Sequence, residues 1–159
     1  MRFSVRVCTL VTAVAAGTMI AAPLAVPASA AAAAPSCATL ATKTANGKIT
    51  ATVSNCTPAA VLGTGSGTFV AATGAKSGSF NITLTWAAKH GTTKGNVKFV
   101  TATGLGKCKG ATSRLTITGA VTGGTGTAFK TVKTGQKITA SVCVGKTSDT
   151  LEPGTTLKI

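Results

Sequence analysis

The chain has 159 residues, with 16 Lys and Arg against two Asp and Glu, a formal net charge of +14, one His, one Trp and no Tyr. So few titratable side chains argue against ordinary acid–base catalysis. So little Arg and aromatic surface argues against nucleic-acid recognition, which uses Arg for bidentate contacts and rings for stacking.

The first segment reads as an export signal. Arg2 and Arg6 form a short positive start, residues 7–26 are apolar and uncharged, and Pro27-Ala28-Ser29-Ala30 supplies a small-residue exit. Gly17 and Pro23 interrupt the apolar run and no positive stop-transfer run follows, which argues against a retained membrane helix. Cleavage is expected after Ala30, with residues 31–36 as a short flexible linker and 37–159 as a single domain. The domain is large enough for one core. Removing the two arginines lowers the charge from +14 to +12 and leaves Arg114 as the only Arg.

Cys8 leaves with the signal, and Cys37, Cys56, Cys108 and Cys143 remain. An even number in an exported chain implies disulfides. Three pairings are open. Cys37–Cys56 with Cys108–Cys143 is favoured, because each pair then brackets one contiguous stretch of strand-like sequence. No two cysteines show zinc-site spacing, and C-x-x-C is absent. No metal or other cofactor is expected.

Along the body, period-two alternation predicts strands. Lys48 to Ser54 places Ile49, Ala51 and Val53 inward. The clearest run is 79–86, with Phe80, Ile82, Leu84 and Trp86 on one face and Ser79, Asn81, Thr83 and Thr85 on the other. Residues 112–121 give Leu115, Ile117 and Val121; residues 137–144 give Ile138, Ala140, Val142 and Val144. Weaker strands are read at 37–43, 67–72, 96–103, 126–133 and 155–159. Turns are read at the glycine-rich stretches, including 63–67 and 119–126. No segment after the signal shows a helical period. Lys48-Ile49-Thr50-Ala51 and Lys137-Ile138-Thr139-Ala140 echo each other, each leading into a cysteine.

About nine short strands predict an all-β fold. The expected architecture is an antiparallel two-sheet β-sandwich, immunoglobulin-like or a related Greek key, with a closed β-barrel as the alternative.

The order Cys37…Cys56, Gly63-Thr64-Gly65-Ser66-Gly67, Thr85-Trp86…Gly91-Thr92-Thr93, Cys108, Cys143 resembles small secreted β-proteins of high-GC Gram-positive bacteria. The resemblance implies an exported, disulfide-containing β-domain and carries over no functional residue.

Chemistry is sparse. Asp149 and Glu152 sit in a stretch, 147–154, that reads as a solvated turn beside Pro153-Gly154. His90 sits in a stretch that reads as a hairpin loop and pairs with Asp149 only on paper; no nucleophile elbow accompanies it. Gly145-Lys146-Thr147 lacks the first glycine of a phosphate loop, Ala140 standing there. Trp86 shares the face of Phe80, Ile82 and Leu84, which makes it a core residue.

The sequence therefore predicts a secreted, non-catalytic protein, extracellular or loosely bound to the envelope. Its lysine-rich surface suits an anionic cell-wall polymer, a membrane surface or another secreted protein. The alternatives are a carrier of a small apolar ligand and, third, a secreted hydrolase using His90 and Asp149.

Overall fold

A computed structural model describes residues 33–70 and 75–159. The signal read at 1–30, the start of the 31–36 linker and the end of the strand read at 67–72 lie outside them.

Nine strands and one short α-helix follow in chain order among the described residues. They are β1 (Ser36–Ala45), β2 (Lys48–Thr57), β3 (Gly63–Phe69), β4 (Ser77–Trp86), β5 (Gly91–Thr101), β6 (Ser113–Thr125), α1 (Gly126–Thr131), β7 (Lys137–Val144), β8 (Asp149–Leu151) and β9 (Leu157–Lys158). A single 3-10 turn, Ala87–Lys89, lies between β4 and β5. Every strand from β1 to β8 pairs antiparallel with the next. The ring then closes: β1 pairs with β8 through Ala41 and Thr150, and with β9 through Cys37 and Leu157. β8 and β9 both pair with β7, so they are two halves of one interrupted strand.

The fold is thus all-β, but it is a closed eight-stranded antiparallel barrel and not the two-sheet sandwich. The physical reason is the second edge of β1. Asp149–Leu151 reaches it, and no edge stays free to start a second layer. Alternating inward faces are common to sandwich and barrel, so periodicity cannot separate them.

Small inward residues let the wall curl. Gly65 of β3 lies against the Trp86 ring, where a Cβ would come within 2.7 Å. The glycine-rich 63–67, read as a turn, is a strand for that reason: it backs onto a large ring and needs no side chain of its own. Irregular register between Val53 and Cys56, and between Lys94 and Gly95, adds bend and twist.

Further expectations are corrected. Residues 119–125, read as a turn, are the end of β6. Residues 126–133 are not a strand. Gly126–Thr131 forms α1, with Ala128 and, just beyond the helix, Val132 buried four residues apart, and Val132 N–H bonds Ala128 O at 2.8 Å. Six residues are too few to display a helical period. Residues 149–151 are a strand and not a turn. The Lys-Ile-Thr-Ala echo marks no equivalent pair, because β2 runs away from the end of the barrel toward which β7 runs.

One end of the barrel is filled. Trp86, Leu62, Val121, Val132, Ala128 and Ile159 pack there, each 2% exposed or less. The indole N–H donates to Thr93 Oγ1 at 2.9 Å, so the buried ring leaves no polar atom unpaired. Cys37–Cys56 bridges β1 to β2 within this core.

Candidate functional site

Among the described residues the other end is open. There, beside the β1–β2 turn and the β5–β6 and β7–β8 connections, the inward faces enclose a cavity of about 550 Å³. That lies within the range of small-molecule sites. Its depth is aliphatic: Leu84, Ile82, Ala140, Val142, Leu157 and Val53. The even positions of the 79–86 run do face inward, but only Leu84 and Trp86 are fully buried. Phe80 and Ile82 are half-buried because they face the cavity.

Two features differentiate the wall. On β3, β4 and β5, Phe69, Phe80 and Phe99 form an aromatic arc near the mouth. Phe69 and Phe80 stack with centroids 4.3 Å apart and planes 8° from parallel; Phe99 follows at 6.0 Å and 44°. In an eight-strand ring, β4 stands opposite β8, and β5 opposite β1. The wall facing the rings carries Thr42 and Thr44 of β1 and Asp149 of β8. Thr101, Thr112 and Ser113 add hydroxyls, and Lys76 adds a cation, around the rim.

Both acids of the chain are built into the barrel. The Thr42 hydroxyl donates to Asp149 Oδ2 at 2.8 Å, and Asp149 N–H donates back to Thr42 Oγ1 at 2.9 Å. This double link holds β8 to β1 where the ring closes. Glu152 is 8% exposed, not a solvated turn residue. Its Oε1 accepts from Lys107 N–H at 2.9 Å and from Arg114 Nη1 at 3.3 Å, and its Oε2 accepts from Ser141 at 2.6 Å. Cys108–Cys143 ties the same connecting segment, 102–112, to the outer face of β7. The outward parity of Cys143 reflects that: the bridge lies on the outside of the wall near the rim.

The Lys107 N–H, then the Ser141 hydroxyl and Arg114, hold the Glu152 carboxyl at about 2, down from the usual 4.5, against an opposing effect of burial. A carboxylate lowered by folding favours the folded form when ionised. Its stabilisation is fully present above pH 4.5 and is lost as pH falls toward 2. Thermal midpoints measured across that window are expected to fall more steeply for the native protein than for Glu152→Gln. Parallel curves would contradict the assignment.

His90 lies at the filled end, with Nδ1 3.1 Å from Thr127 Oγ1 and its carbonyl accepting from Ala128 N–H. Asp149 is at the open end, so the two are not brought together. Among the described residues, no three of His, Cys, Asp and Glu are grouped to hold a metal ion. Composition and alternation revealed the inward faces; they carried no sign that three phenylalanines from three strands would meet. The two disulfides suit an oxidising compartment. The chain matches no protein-family model, no curated protein and no solved structure.

Proposed function

We propose that this is an exported, non-catalytic binding protein that carries a small apolar molecule inside its barrel. The observation that carries the reading is the 550 Å³ cavity, blind at one end and lined mainly by aliphatic and phenyl side chains. Eight-stranded barrels have interiors just wide enough to be filled by side chains or to hold one small ligand. Here Ala51 and Ala140 leave part of the interior to a guest. Two disulfides and the Thr42–Asp149 link preorganise the walls, which lowers the cost of binding.

The lysines support a second, outward role. Lys94 and Lys98 stand exposed on the outer face of β5, Lys48, Lys76 and Lys146 lie at the open end, and Lys89, Lys130 and Lys133 at the filled end. A charge so widely spread favours general attraction to anionic envelope polymers over one dedicated face. Retention on isolated cell wall that weakens with salt is the test of that role.

For the carrier reading, native mass spectrometry of protein secreted by its own host is expected to show a bound small molecule. In vitro, the barrel is expected to bind the dye anilinonaphthalene sulfonate, read by calorimetry. Ala140→Phe places a ring in the cavity and is expected to weaken that binding by about tenfold or more, a loss equivalent to ~1.4 kcal/mol. The fold should survive, because the cavity has room for the ring. Bare polypeptide mass together with no dye binding, or equal binding by the variant, would sink the carrier.

A further inference from the structure

The two-sided wall specifies the guest more narrowly, and this inference rests on the carrier reading. We infer that the cavity takes a flat, fused aromatic ring system bearing a hydroxyl or amino donor on one edge.

Three observations converge. The first is the aromatic arc. Only four phenylalanines stand in the described residues, and three of them, Phe69, Phe80 and Phe99, line the cavity with their rings in one continuous run of contacts. They come from adjacent strands: Gly78 pairs with Phe99 and Phe80 with Val97. Rings gathered side by side offer a guest offset-stacked or edge-to-face contact, which an acyl chain cannot exploit. The second is the opposing wall. Asp149 Oδ2 is occupied by Thr42, but Oδ1 takes no donor among the described residues. Asp149 lines the cavity across from the rings, so Oδ1 is placed to accept from a ligand O–H or N–H. Thr44 adds a hydroxyl on the same side. The third is rigidity. The filled end and the tied seam fix the slot between the walls, and a rigid guest loses fewer rotamers on entry than a flexible one. An apolar carboxylate is the alternative that Lys76 and the basic surface would attract. It would, however, place its charge at a mouth that already holds Asp149.

The test compares three probes on the oxidised barrel by calorimetry: a dihydroxyanthraquinone with both hydroxyls on one edge, unsubstituted anthraquinone, and palmitic acid. The dihydroxy compound is expected to bind tightest. Removing its hydroxyls should cost about tenfold or more, as for a hydrogen bond to a charged acceptor. Phe80→Leu should weaken both ring compounds by about two- to tenfold, and leave palmitic acid unchanged. Phe129→Leu, outside the cavity, should change none of the three. Palmitic acid bound as tightly as the ring compounds, or a Phe80→Leu loss shared equally by all probes, overturns the aromatic specificity while leaving a carrier. Failure of every probe, with no dye bound either, overturns the carrier as well.

Discussion

Trp86→Ala is expected to destabilise the barrel by about 3–5 kcal/mol, the range for removing a large buried ring. The ring is 2% exposed at the filled end, against Gly65, Leu62 and Val132 in the same core. The cost should sit at the upper end of that range, because the Thr93 hydroxyl, also 2% exposed, loses its indole donor. Trp86→Phe separates the two contributions: it keeps most of the packing and should cost about 1–3 kcal/mol, largely the orphaned hydroxyl. Urea titration followed by circular dichroism checks both. An alanine variant within 1 kcal/mol of the native protein would mean that the filled end is not a packed floor. Because single domains are held by only about 5–15 kcal/mol, the alanine variant is also expected to lose ligand affinity at ordinary temperature.

The second large effect is loss of the Cys108–Cys143 bridge. Its partners are 35 residues apart, against 19 for Cys37–Cys56. In the chain-entropy view these separations correspond to about 4 and about 3 kcal/mol. Replacing Cys108 and Cys143 together with serine should lower the thermal midpoint by roughly 10–20 °C. Replacing Cys37 and Cys56 should do less, since the β1–β2 register already aligns them along a paired hairpin. The two losses differ in place as well as size. Hydrogen exchange in the first variant should rise in 102–112 before it rises in β1 and β2. With the bridge gone, Glu152 becomes the main tie on that segment, so its opening should become strongly acid-sensitive between pH 4.5 and 2. An unchanged midpoint would show that the outer tie contributes little to the fold.

How much of this was legible beforehand depended on length and on locality. Residues 79–86 declared their strand and its inner face because eight consecutive positions alternate. The inner positions of 48–54 and 137–144 were equally plain. Closure was not, because it rests on two very short strands, Asp149–Leu151 and Leu157–Lys158, set on either side of Pro153-Gly154 in a stretch with the marks of a turn. The end of β3 falls within the strand read at 67–72, but its start, 63–67, reads as a turn because the contact that requires Gly65 is with Trp86, some twenty residues downstream. The helix was missed because six residues span under two turns. Of the site, the inward phenyl groups could be assigned to strands one at a time. Their meeting is a property of neighbouring registers, which no single strand encodes. Glu152 looked solvated for the same reason: its partners, Lys107, Arg114 and Ser141, come from distant segments.

One contact noted only as part of the filled end has a wider meaning. Ile159 sits in that floor, and its N–H bonds the carbonyl of Pro35 at 2.9 Å, so the chain enters and leaves the barrel side by side. Anything joined to the domain just before Pro35 or just after Ile159 therefore departs from the sealed pole. A short linker joining the two ends, with the chain cut instead at Asn46-Gly47, would rewire the molecule without disturbing a single rung of its wall.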